Sequence, residues 1–179
     1  HLYPGSRFVG YQRNIQHDHR VEVDIQFADL KQSYLCGYLT IYNLTSKLPV
    51  LTTFFEAEII GERHSFSTRK WNSNFRNDLE HWNKFPDFAE FEAVANQDRP
   101  IPNILGHPTI FMRWKEIFLA PNHRVTHIDG ASFEGFYFIQ YQQSTGDITG
   151  YYYHAESEKY QLLTLSHVCN NAVPYFEFS

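Results

Sequence analysis

Residues 21–27 read VEVDIQF, and apolar and polar positions alternate along them without a break. Val21, Val23, Ile25 and Phe27 fall on one side, and Glu22, Asp24 and Gln26 on the other, which is the period of a strand with one wet face. Longer strand-like runs cover 33–42 and 50–60, divided by 43–49, a connection in which Leu44 and Leu48 supply apolar anchors. Segments 109–119 and 161–168 read as further strands. Segments 133–141 and 148–154, rich in aromatic and β-branched residues, flank a polar loop around Gly146 and so form a hairpin. One segment breaks the rhythm. Within 77–91, Asp78, Leu79, Trp82, Phe85, Phe88 and Phe91 recur every three or four positions behind Asn77, a plausible cap. This spacing predicts a helical insertion, interrupted near Pro86. Residues 97–107, which contain Pro100, Pro102 and Gly106 and run into Pro108, read as a surface loop.

Strands therefore outnumber helices, with turn signals between them and no βαβ alternation. The expected fold is mainly β, an antiparallel barrel or sandwich. A barrel of about eight strands with a helical insertion, lipocalin-like in outline, is wide enough to hold one small ligand. At 179 residues the chain is read as a single domain, 1–179, with a substantial core. Aromatic residues reach 17%, with 16 Phe and 12 Tyr, and so favour strands paired through aromatic side chains. A net charge of −5 gives no basic patch for nucleic acid. No apolar run approaches the roughly 18 residues of a membrane span. Two cysteines, Cys36 and Cys169, are too few for a disulfide framework. They point to a reducing compartment and a cytoplasmic location, with the nucleus left open. The chain begins at His1 without a signal-peptide pattern, and is expected to be a domain whose targeting information lies elsewhere.

Several residues raise the question of chemistry. His17 and His19 flank Asp18, but no H-x-x-x-H or C-x-x-C spacing supports a metal site, and no cofactor is implied. Ser132 lies in G-A-S-F-E-G, where a nucleophile elbow would need G-x-S-x-G between a strand and a helix, so a serine hydrolase is not expected. Asn43-Leu44-Thr45 is a formal glycosylation sequon that, without a secretory signal, reads as chance. Glu116 is the sharper case. On a strand over 109–119 it would share a face with Ile110, Met112, Trp114 and Phe118 as the only charge. It is either one half of a salt bridge or an anionic anchor for a cationic ligand. Tyr137, Tyr151, Tyr152 and Tyr153 follow it, so a tyrosine-lined pocket for an amine is the functional reading.

Seven ordered motifs carry a resemblance. They are G-S-R-F-x-G-x-Q at 5–12, S-Y-L-C-G-Y-L at 33–39, L-T-T-F-F-E at 51–56, T-R-K-W at 68–71, F-M-R-W-K-E at 111–116, G-A-S-F-x-G-F-Y at 130–137 and G-Y-Y-Y-H at 150–154. Together they span nearly the whole chain and closely resemble the Vid24 family, substrate receptors of the GID ubiquitin ligase, called CTLH in animals. The resemblance implies an antiparallel β-barrel with inserted helices. Its open end would capture the free N-terminus of proteins beginning with Pro or a similar residue, an N-degron, without ligase chemistry of its own. It further implies that Glu116 pairs with the α-amino group and that Gln12, Ser132, Tyr137 and Tyr152 form the polar lining. Ile41, Leu44, Leu51 and Phe54 would receive the first side chains. The segment 169–179, with Pro174, Tyr175, Phe176 and Phe178, would dock on a helical-repeat scaffold subunit. The expected partners are thus substrate N-terminal peptides and that scaffold, with no nucleic acid and no membrane. A lipocalin-like small-molecule carrier is the competing reading.

Overall fold

The computed structural model describes residues 1–120, 134–156 and 161–169. Eight strands follow one another: β1 (Arg7–Arg13), β2 (Asp18–Asp29), β3 (Tyr34–Thr45), β4 (Leu48–Ile59), β5 (Thr109–Ala120), β6 (Phe136–Gln142), β7 (Ile148–Tyr153) and β8 (Gln161–His167). Each pairs antiparallel with the next, and β1 pairs with β8, so the sheet closes into a barrel in sequence order. Of the two expected architectures the barrel is therefore the one formed. Closure leaves no sheet edge unpaired. It also brings the β1 and β8 backbones very close at Gly10, where a Cβ would lie 1.8 Å from the Thr164 carbonyl oxygen. Glycine is required there.

Alternation along each strand sends one set of side chains inward. Phe8, Val21, Val23, Ile25, Leu35, Phe55, Met112, Trp114, Ile139 and Leu163 are wholly excluded from solvent and fill the interior. The unbroken period-2 reading fails where the ladder slips. A bulge between Ile25 and Phe27 turns Phe27 outward, half exposed, rather than into the core with Val21 and Val23. A second irregularity, between Tyr42 and Thr45, lets β3 and β4 continue pairing to Thr45 and Leu48. Most of the expected 43–49 connection is therefore strand. A third puts Phe55 opposite Glu116 but Phe54 opposite Phe118. Ile117 is the extra residue, so Phe118 leaves the face of Glu116 and Leu119 takes the next inward position.

The insertion between β4 and β5 contains two short helices, α1 (Phe75–Trp82) and α2 (Glu92–Asn96), joined by a 3-10 turn at Pro86–Phe91. The cap of α1 is Asn74 rather than Asn77: its side chain accepts from the Asn77 amide at 2.8 Å. Pro86 opens the 3-10 turn, where its missing N–H costs nothing. Trp82, Phe85, Phe88 and Phe91 form a second core with Phe66. This core packs on Phe111, Phe136 and Phe138, which project from the outer wall of β5 and β6. That explains why 136–141 reads as nearly continuously apolar: both of its faces are buried. Both cysteines are free, Cys36 buried and Cys169 exposed.

Candidate functional site

The two ends of the barrel differ. At one end lie the short 30–33 turn, the insertion and the 143–147 turn. There the segment before β1 bonds back to β2, Gly5 N–H to the Ile25 carbonyl and Ile25 N–H to the Ser6 carbonyl. Leu2 and Leu30 pack against the inner core. At the other end, the ends of β1, β3, β5 and β7 meet the starts of β2, β4, β6 and β8. Among the described residues, the inward side chains near that mouth include the polar Gln12, His19, Thr53, Tyr137 and Tyr152 beside the apolar Leu51 and Leu119.

Glu116 is placed by β5 and is 7% exposed. Among the described residues lining the interior it is the one formally charged side chain. Its Oε2 accepts from Thr53 Oγ1 at 2.5 Å, and its Oε1 accepts no hydrogen bond among them. No described Lys or Arg side chain forms an ion pair with its carboxylate; Lys115 Nζ bonds instead to the Glu116 backbone oxygen at 2.9 Å. Burial pushes its pKa above the ordinary glutamate value, and the Thr53 bond and the nearby Lys115 charge offset this only in part. The salt-bridge alternative is thus not realised among the described residues, which give the carboxylate no ion-pair partner.

Polar groups surround it. Tyr137, buried on β6, donates its hydroxyl to Gln12 Oε1 at 2.6 Å, and the Gln12 amide donates to Gln161 Oε1 at 3.0 Å. Burial first, then the negative charges of Glu116 and Tyr152, raise the Tyr137 pKa well above that of a free phenol. The hydroxyl therefore stays protonated, and its oxygen keeps lone pairs for a donor. Tyr152 packs edge-on against Tyr137, ring centres 5.0 Å apart, and its hydroxyl accepts from the Gly135 amide at 2.9 Å. Beneath Glu116, Trp114 stacks on Phe55 at 4.6 Å and forms an apolar floor.

The structure brings Gln12, Glu116, Tyr137 and Tyr152 together. Ile41 is buried in the inner core opposite Leu51, and Leu44 and Leu51 are half-buried against it. Phe54 is not part of this set. It points to the outer wall, stacked on Phe118 at 5.0 Å and edge-on to Tyr38, because inward positions on β4 fall on Leu51, Thr53 and Phe55. Ser132, and Pro174, Tyr175, Phe176 and Phe178, lie outside the described residues. Sequence reasoning missed Thr53, Gln161 and His19, all at the mouth. The signal for Thr53 and His19 was a polar residue in phase with the buried series on its own strand.

A further cavity of about 340 Å³ opens on the outer wall and is lined by Glu58, Arg63, His64, Arg69, Lys70, Asp98 and Arg113 among others. Its main charges neutralise one another: Glu58 pairs with Arg113 and Lys70, and Asp98 with Arg69. It reads as the joint that fastens the insertion to the barrel.

The fold is an eight-stranded barrel, and among the described residues Glu116 at its tyrosine-lined mouth has no cationic partner. Residues 1–168 match the family model described as vacuolar import and degradation protein, and the chain belongs to that family. It is 47% identical over 99% of its length to the mouse protein named glucose-induced degradation protein 4 homolog, of which it covers 82%. It is 35% identical over 97% of its length to the fission yeast protein named GID complex substrate-recognition subunit 4, covering 95% of that protein. The budding yeast protein of the same name is 29% identical over 97% of this chain, which covers 64% of that relative.

Proposed function

We propose that this chain is a substrate-recognition subunit of a GID-type ubiquitin ligase that binds the free N-terminus of its substrates, beginning with Pro or a similar residue. The names of its relatives support the receptor role. The observation that carries the chemistry is Glu116, a buried carboxylate with one open oxygen and no cationic partner among the described residues. A free α-amino group has a pKa near 8 and is cationic at neutral pH. A protonated N-terminal Pro offers two N–H donors, which Glu116 Oε1 and the Tyr137 hydroxyl oxygen can accept. Ile41, Leu44 and Leu51 supply apolar surface for the first side chains. The receptor recognises and does not transform its ligand. The lower barrel is filled by side chains such as Trp114, Phe55 and Met112, which favours capture at the mouth over a lipocalin-like carrier with an interior cavity.

Titration calorimetry with a Pro-starting peptide tests the assignment. Glu116→Gln preserves shape and removes charge. A charge-assisted bond in a dry site is worth about 1.5–3 kcal/mol, so affinity should drop roughly 10- to 150-fold. Unchanged affinity would overturn it.

A further inference from the structure

Resting on that receptor reading, we propose that His19 is a specificity-determining contact of the mouth. Its imidazole hydrogen-bonds the side chain at the second or third residue of the bound peptide, and favours a hydroxyl there over a methyl group. His19 sits at the start of β2, in phase with Val21, Val23 and Ile25, all three fully buried. It is thus the one polar member of that inward series. Its residue is only 8% exposed, yet among the described residues it makes no hydrogen bond or ion pair. Its nitrogens are not among the sealed polar atoms left without a partner, as both nitrogens of His167 are.

The register fixes its neighbours. His19 lies directly opposite Gln12 across β1 and β2, which puts the two Cβ atoms about 4.5–5.5 Å apart. Gln12 makes no hydrogen bond to it; its oxygen accepts from Tyr137 and its amide donates to Gln161. His17 packs its own ring against His19, centres 5.9 Å apart, at the solvent side. A neutral imidazole carries one donor and one acceptor, and burying them without partners is unfavourable. A ligand hydroxyl, itself donor and acceptor, can complete either ring nitrogen. The position along the peptide follows from reach. With the amine at Glu116 and Tyr137, an extended chain advances about 3.3–3.6 Å per residue. His19, one strand beyond Gln12, therefore meets the second or third residue rather than the first.

Three short peptides, Pro-Ala-Val, Pro-Ser-Val and Pro-Ala-Thr followed by a common tail, test this by calorimetry against the wild-type chain and two variants. The wild type should favour Ser over Ala or Thr over Val by about two- to tenfold, the worth of one neutral hydrogen bond. His19→Phe keeps an aromatic ring in place. Whatever its overall affinity, it should lose the preference, and His19→Gln should restore part of it. A wild-type ratio of one at both positions, or a preference that persists in His19→Phe, overturns the assignment and leaves an imidazole that only fills space. The receptor reading has a separate readout: Pro-Ala-Val binding that disappears in Glu116→Gln supports it whatever His19 does. A wild-type chain that binds none of the three peptides sinks both.

Discussion

At the scale of the residue, the proposed binding chemistry and the stability of the peptide-free barrel oppose each other at Glu116. Its folded-state pKa is raised by burial, so the native state holds this proton more tightly than the unfolded chain does. Stability from this group is then greatest below the unfolded value and falls as pH rises through the folded one. Glu116→Gln should therefore raise the melting temperature of the peptide-free protein at pH 8. The gain should shrink toward zero near pH 4, where the glutamate is protonated in both states. Thermal scans of the two proteins across that range check it, and a gain that is constant with pH would contradict it. Peptide affinity should show the opposite face of the same charge. It falls on the acid side as Glu116 protonates, above the ordinary glutamate range, and on the basic side as the peptide amine loses its proton. Thr53→Val removes the one bond that stabilises the carboxylate through Oε2, so the acid limb of the affinity profile should move to higher pH. An acid limb that stays in place would show that Thr53 does not hold the charge. Glu116 was legible in the sequence as the one acid on the face of Ile110, Met112 and Trp114, a pattern that fits a salt bridge as well as an anchor. Thr53, His19 and Gln161 were not, since a neutral polar residue on a strand can face either way.

The elements show where period-2 counting holds and where it stops. Every strand named from the sequence is present, but β1 was not singled out as one, because Gly10 and its two flanking arginines dilute the alternation. The residues misplaced by counting, Phe27 and Phe118, each lie just past a bulge, whereas Phe54 was placed by the resemblance. One inserted residue reverses every face beyond it, and composition gives no warning of it. The insertion was visible from its three- and four-residue spacing, whereas its partner, the outer wall of β5 and β6, was not. Its closure depends on Asp78, a fully buried carboxylate on α1. Asp78 accepts from the Thr68 amide at 2.8 Å, the Thr68 hydroxyl at 2.7 Å and the Ser73 hydroxyl at 2.6 Å. Asp78→Ala strands these buried donors and should destabilise the protein by about 3 kcal/mol in denaturant titration. Peptide affinity of the folded fraction should stay within about twofold, because the mouth is built by other elements. A variant of wild-type stability would mean that the 68–73 loop is held by something else.

The whole molecule has a direction. Four hairpin connections open at the mouth, and the other end is closed by the chain's first residues and by Leu2 and Leu30. Strand β8 begins at the mouth with Gln161 and runs away from it to His167, where the Val168 amide bonds the Arg7 carbonyl. Residues 170–179 therefore follow a strand that exits away from the peptide site. On the proposed receptor role, ligand capture and scaffold attachment would use different parts of the chain. Deleting residues 173–179, with Pro174, Tyr175, Phe176 and Phe178, should leave peptide affinity unchanged and abolish co-purification with the helical-repeat scaffold subunit. A truncated chain that still joins the scaffold at full strength would reject the separation.

On the proposed function, this barrel reads the charge of a free chain end. One peptide beginning with Pro, synthesised with a free and with an acetylated N-terminus, isolates that charge while every side chain stays the same. Acetylation removes the cation and its donors and leaves the Glu116 carboxylate without the peptide's charge beside it. Calorimetry should show the acetylated peptide binding at least 10-fold more weakly, the lower bound set by about 1.5 kcal/mol for a charge-assisted bond. Equal affinities for the two peptides would contradict the account.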